Sequence, residues 1–256
     1  MTTAYIYPGL NGLLRRADRM RFLPLPEVQS RLREAEQVLR DECDLKVDLD
    51  DLLAKSAEEI YAIKNISLAA VAICAIQSGV SDRLRKVAPT PAWVMGCSLG
   101  DLARAVFAGA YEFRQAVRNH VNFTKDIDGI DKVGKNIGVA APRDQPFTAD
   151  DYAWFEEIAV DVSHLTPRFL NIGGRFRELE LIEVRAKEKG WRTMTILDYP
   201  AHSRYILPFV EKVRINVLEV QTKAPTIPIF SSFSLKPLSD PEEISREFIL
   251  SITQTL

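Results

Sequence analysis

Cysteine is scarce in this chain of 256 residues, which has only Cys43, Cys74 and Cys97. An odd count without metal-type spacing excludes a disulfide framework and a cysteine zinc site, and it fits a reducing compartment. Histidine is equally rare, with His120, His164 and His202 alone. Neither sign of charge is in excess: 33 basic residues stand against 35 acidic, for a net charge of −2. That leaves no general electrostatic case for nucleic acid or a membrane surface. No apolar run approaches the about 18 residues of a membrane span, and the N-terminus has no charged-then-apolar signal pattern. The expectation is a cytoplasmic chain with no metal, no nucleic acid and no membrane as partner. Internal repeats and low-complexity tracts are also lacking. What is there is ordinary globular composition, 46% hydrophobic and 27% charged. The length suits one large domain carrying a smaller insert.

Residues 91 to 110 organise the rest. Ala92 to Met95 is a short apolar run, as expected of a buried strand. Gly96-Cys97-Ser98-Leu99-Gly100 then fits G-x-S-x-G. Leu99, Leu102, Ala103, Val106, Phe107 and Ala110 follow at the spacing of one helix face. Ser98 thus falls on a sharp strand-to-helix turn, between two glycines that let the strand and helix approach. This is the nucleophile-elbow context, with the hydroxyl held out and a helix N-terminus aimed at it. The pentapeptide alone recurs by chance, and a tight turn with an incidental serine is the plain alternative.

Thr3 to Tyr7 reads as a first strand and Pro26 to Cys43 as a helix. Ser67 to Ile76 is apolar all round, as in a helix buried on most faces. Arg83, Arg85 and Lys86 read as a solvated helix end. After the elbow helix, Phe113 to Asp126 suggests another helix. Asn136 to Ala141, Thr148 to Ile158, Pro167 to Ile172, Phe176 to Lys189 and Arg192 to Leu197 then read as strand, helix, strand, helix, strand. That is a compact α+β insert. A helix over Tyr205 to Asn216 follows. Thr226 to Ser231 reads as a strand which Pro228 places at a sheet edge. A last helix starts at Pro241.

A serine nucleophile needs a general base. His120 has polar neighbours on its helix, and His164 falls in a turn before Pro167. Both read as surface histidines. His202 follows a strand, in a proline-containing turn before a helix, and is the remaining candidate.

Four stretches resemble the malonyl-CoA:acyl-carrier-protein transacylases and the acyltransferase domains of polyketide synthases. They are Tyr7-Pro8-Gly9-Leu10-Asn11-Gly12, Gly96-Cys97-Ser98-Leu99-Gly100-Asp101, Tyr199-Pro200-Ala201-His202-Ser203, and Pro225-Thr226-Ile227-Pro228-Ile229-Phe230-Ser231. Their order and spacing agree over essentially the whole chain. The resemblance implies an α/β fold: an α/β-hydrolase-like large subdomain with a parallel sheet, from 1 to 127 and 197 to 256. A ferredoxin-like small subdomain would span 128 to 196. It implies ping-pong acyl transfer, with Ser98 as nucleophile and His202 as base. The backbone N–H groups of Leu99 and Leu10 would form the oxyanion hole. Acyl-CoA and a phosphopantetheinyl acyl-carrier protein would be the substrates, with no permanently bound cofactor.

Departures from the family pattern bear on the acyl group. Phe123 aligns with the Arg that holds a malonyl carboxylate, while Arg118 matches an earlier Arg on a different helix face. Cys97 replaces a His, and Ala201 replaces a bulkier residue. Together with Tyr199 these would line a less polar acyl pocket, in which a carboxylate facing no cation is costly. Malonyl is therefore not the expected acyl group. Family members also continue beyond this chain's end, where the carbonyl that orients the catalytic His lies. The expectation is that another group, or another chain, orients His202, or that activity is low. Two other outcomes stay open: a hydrolase that clears acyl-carrier proteins, and a degenerate homologue kept for docking.

Overall fold

The computed structural model describes residues 3–13, 15–125, 129–209 and 222–253. Contacts divide the chain into two compact units. One is Met1–Asp126 with Lys212–Leu250, and the other is Ile127–Glu211 with Ser251–Leu256.

The first unit is built on a four-stranded sheet. Strand β1 (Ala4–Tyr7) pairs in parallel with β2 (Trp93–Gly96), which brings Tyr7 opposite Gly96. β2 pairs in parallel with β7 (Ile229–Phe230), and β7 pairs antiparallel with β8 (Pro237–Leu238). The expected strand over 226 to 231 is thus only two residues long, and it lies inside the sheet. Pro228 stands just before this strand, and its carbonyl accepts a hydrogen bond from the Val94 N–H at 2.9 Å.

Helices α1 (Arg16–Phe22), α2 (Pro26–Cys43), α3 (Leu49–Leu53) and α4 (Ala57–Ile60) lead into α5 (Ile66–Val87). Pro26 starts α2 where a missing N–H does no harm. Val28, Leu32, Ala35, Val38 and Leu39 give α2 a buried stripe at helical spacing. The two expected segments 67–76 and 81–87 are one helix, α5, buried continuously from Ala69 to Gly79. By length and composition α5 could cross a bilayer, yet most of its apolar window is buried inside the protein. It is the core helix of this unit. α6 (Gly100–Phe107) and α7 (Phe113–Lys125) follow β2, and α10 (Pro241–Thr253) follows the sheet.

The second unit runs β3 (Gly134–Ala140), α8 (Ala149–Glu157), β4 (Asp161–Thr166), β5 (Phe169–Arg175), α9 (Phe176–Lys189) and β6 (Arg192–Leu197). The strand order is β4-β5-β3-β6, and every pairing is antiparallel. This is the ferredoxin-like arrangement, with one strand more than expected. β4 and β5 form a hairpin that turns at Pro167 and Arg168, so His164 lies in β4 opposite Leu170 and not in a turn. Ile137, Val139, Leu170 and Ile172 from one sheet face pack on Phe155 of α8 and on Leu179, Ile182 and Ala186 of α9. Alternation leaves Asn136 and Gly173 on the opposite face. The unit continues to Glu211, past the expected boundary at 196, because that face receives the segment around His202.

Candidate active site

Ser98 stands between β2 and α6 with φ of 55°, a left-handed conformation that few non-glycine residues adopt. The turn is fixed by its own backbone. Gly100 N–H donates to Cys97 O at 3.0 Å, and Asp101 N–H donates to Ser98 O at 2.9 Å. The side of Gly100 that would carry a Cβ lies against the main chain of Tyr7 and Pro8. The end of β1 therefore passes directly over the first turn of α6. Leu10 opens a short 3-10 turn (Leu10–Leu13) just beyond it. The Gln77 side chain on α5 fixes this segment by donating to Pro8 O at 2.7 Å. Ser98, Leu99 and Leu10 are all half-buried.

Cys97 is half-buried, and burial pushes its thiol up to about 11, with Asp101 adding to the rise. At neutral pH it is a neutral thiol beside the serine, not a competing nucleophile. The buried face of α6 differs from the expected one: Gly100, Asp101, Ala103, Arg104, Ala105 and Phe107 are buried, whereas Leu102 and Val106 are only partly so.

In the second unit, Tyr199, Ala201, His202 and Ser203 are all buried. His202 also has a φ of 55°. The turn around it is held from three sides. Asn136 of β3 donates from its side-chain amide to Ala201 O at 2.9 Å, and Ser203 Oγ donates to Pro200 O at 2.6 Å. A Cβ on Gly173 would stand 2.6 Å from Ser203 Cβ, so glycine is what lets the turn rest on β5. Asp161 of β4 accepts from the Arg204 backbone N–H and, at 2.8 Å, from Arg204 Nε.

Burial lowers the His202 pKa to about 4, and a backbone hydrogen bond with Ser251 of α10 acts in the opposite sense. The imidazole is therefore neutral at pH 7, the form that accepts a proton. Of the expected outcomes, another group or another chain orienting His202, the Ser251 backbone contact is the first, a group within this chain. Tyr199 is pushed up to about 12 by burial and stays a neutral phenol.

His120 is also corrected. It is 5% exposed on α7, and burial lowers its pKa to about 3. Arg118 is exposed and pairs with Glu42 at 3.2 Å. The side chain of Phe123 and residues 210–221, where a helix was expected, lie outside the described residues. No cluster of metal-binding side chains occurs among the described residues.

Sequence inspection missed Asn136, Asp161, Gly173 and Ser251 as supports of the histidine turn, and Arg104 beneath the serine turn. A polar Asn beside the apolar end of a strand and a charged residue three positions after Asp101 were the available signals for Asn136 and Arg104. Ser251 acts through its backbone and leaves no signal in its side chain.

A family model described as the acyl transferase domain matches residues 6–253. The malonyl CoA-acyl carrier protein transacylase of Bacillus subtilis is 24% identical over 254 residues, 96% of this chain and 77% of that protein. An erythronolide synthase of Saccharopolyspora erythraea is 26% identical over 144 residues, 56% of this chain. This match spans only 4% of the synthase. Among solved structures, a malonyl-transacylase in complex with its type II polyketide synthase acyl-carrier protein superposes with a TM-score of 0.82. It is 21% identical, over 100% of this chain and 82% of that one, a likeness of fold.

Proposed function

Because the chain belongs to the acyl transferase domain family, we propose that it moves acyl groups between CoA and acyl-carrier-protein thioesters, in fatty-acid or polyketide assembly. The observation that carries this is Ser98 in the left-handed conformation between β2 and α6. That geometry presents Oγ at a helix N-terminus.

In the first half-reaction His202 takes the Ser98 proton as Oγ attacks the thioester carbonyl. The backbone N–H groups of Leu99 and Leu10 hold the oxyanion. When the C–S bond breaks, the imidazolium returns the proton to the departing thiolate. In the second half-reaction a phosphopantetheine thiol gives its proton to His202 and attacks acyl-Ser98. The C–Oγ bond breaks, and Oγ recovers the proton. Buried His202 is unprotonated at neutral pH, the form a general base must have. The complex of the structurally similar transacylase with its carrier protein supports the choice of acceptor.

The acyl group is proposed not to be malonyl. Cys97, Phe123, Tyr199 and Ala201 are proposed to form an uncharged acyl pocket.

The test is intact-mass measurement after mixing with a panel of acyl-CoAs, then with phosphopantetheinylated carrier protein. The expected result is an acyl adduct on the wild-type chain, none on Ser98→Ala, and discharge onto the carrier. Discharge to water at the same rate with and without carrier would identify a hydrolase instead. An adduct of unchanged yield in Ser98→Ala would overturn the covalent mechanism.

A further inference from the structure

The serine turn rests on a buried cluster of charges that the acyl-transfer chemistry does not itself use. Arg104 of α6 has no exposed surface. Its Nε is 3.0 Å from Asp101 Oδ1, and its Nη2 is 3.5 Å from Glu247 Oε1 on α10. Both carboxylates are almost wholly buried. Nη1 donates to Phe230 O at 2.8 Å, at the end of β7. One guanidinium thus ties together the first turn of α6, the sheet and the last helix.

The cluster is also in contact with the elbow. A Cβ on Gly96 would stand 2.6 Å from Asp101 Oδ1 and 2.8 Å from Arg104 Cδ. The last residue of β2 therefore lies flat on the ion pair. On its other side, Asp101 N–H holds the Ser98 carbonyl. A positive φ at a serine persists only where the surroundings over-determine it. Here they are the hydrogen-bonded turn above and the ion pair beneath.

A buried triad of this kind is a poor way to gain stability alone, because apolar residues of similar volume often do as well. Its hydrogen bonds to Phe230 O and Glu247, together with the close ion pair to Asp101, instead fix geometry. We propose that Arg104 is a positioning residue for Ser98: it locks Asp101 and the end of β2 so that the serine keeps its left-handed conformation and its Oγ direction. It touches neither substrate nor reacting atoms. This rests on the proposed role of Ser98 as nucleophile.

The experiment separates that role from the positioning. A fluorophosphonate ester labels an activated serine without needing the right acyl group. The rate of Ser98 labelling is measured by intact mass in wild type, Arg104→Met, Arg104→Lys, Asp101→Asn and Glu247→Gln, alongside thermal melting. Arg104→Met is expected to label about ten- to a hundredfold more slowly, the scale of a misplaced reacting group. Arg104→Lys should recover part of the loss, and Glu247→Gln and Asp101→Asn should fall between. With a reactive acyl-CoA, kcat should fall while KM stays, since the cluster does not meet substrate. If Arg104→Met does not fold, the two carboxylate variants and Arg104→Lys carry the test.

Folded variants that label at the wild-type rate, with only a lowered melting temperature, would reduce the cluster to a structural role. If wild type transfers no acyl group but its Ser98 is labelled and the variants slow that labelling, acyl transfer fails and the positioning stands. A wild-type Ser98 that the probe does not label overturns both.

Discussion

A Cβ on Gly100 would stand 2.2 Å from the carbonyl oxygen of Tyr7. Main chain meets main chain here, so no side chain can swing aside to make room. Gly100→Ala must push β1 off α6 and carry the turn of Ser98 with it. The expected cost is about 3 kcal/mol, the upper range for overpacking. Denaturant unfolding checks it, and Ser98 labelling should fall as well. A loss below about 0.5 kcal/mol would mean that the close approach is not real.

The second prediction concerns the acid limb of acylation. His202 is buried, with a pKa lowered to about 4. The base is then still unprotonated at pH 5.5, where an ordinary imidazole is mostly charged. The rate of acyl-Ser98 formation should stay flat down to about pH 5 and fall with a midpoint near 4. Rapid-quench mass measurement across pH reads this. A midpoint near 6.5 would place His202 in water and remove the proposed environment.

The same burial makes folding sensitive to acid. His120 and His202 are neutral in the folded chain down to about 3 and about 4. In the unfolded chain both titrate near 6.5. Below about 6.5 the unfolded state binds more protons, so stability falls as pH falls. Each histidine contributes about 1.4 kcal/mol per pH unit, down to its folded pKa. Between pH 7 and pH 5 the pair should cost about 4 kcal/mol, and His120→Gln should lose about half of that dependence. Urea unfolding at the two pH values measures it. An identical loss in wild type and His120→Gln would show that His120 is already charged, or exposed, in the folded state.

Much of this was legible in the sequence, and the failures have physical causes. The elbow was readable because an apolar run, G-x-S-x-G and a helical period are all local. His120 was read as exposed because of its Asn neighbours. Yet Phe113, Ala116, Val117, His120 and Val121 fall on one stripe of α7 and are all buried. The periodicity held the answer, and polar composition obscured it. β4 was missed because Asp161, Ser163 and Thr166 make it look like a loop, although its pairing with β5 settles it. The segment around His202 joins the ferredoxin-like unit because Asn136 and Gly173 sit on the sheet face away from the helices. Only tertiary register reveals that. Ser251 acts on His202 through a backbone group, which every residue has, so nothing in the sequence marks it.

The last prediction is the choice of acyl group. Malonyl needs a cation for its free carboxylate, and leaving that group unpaired in an apolar pocket costs at least several kcal/mol. Arg118 was the nearest candidate by alignment, and it is engaged elsewhere: Glu42 of α2 pairs with it at 3.2 Å and with Arg114 at 2.6 Å. Cys97 supplies no cation in either protonation state, and burial keeps it a neutral thiol. Tyr199 and Ala201 are both buried, and Tyr199 remains a neutral phenol. An uncharged wall favours chain length. Two methylenes more than acetyl, at about 0.8 kcal/mol each, would gain butyryl roughly 1.6 kcal/mol. We therefore predict that butyryl-CoA acylates Ser98 at least about tenfold faster than malonyl-CoA, or about 1.4 kcal/mol in the barrier. The complementary variant is Phe123→Arg, which by the family resemblance should move the preference toward malonyl, since a guanidinium can hold a carboxylate by two hydrogen bonds. The measurement is kcat/KM for the two thioesters side by side, scored as acyl-enzyme formation. Malonyl equal to butyryl would mean that the pocket contains a cation, and it would overturn the assignment of Phe123 to its wall.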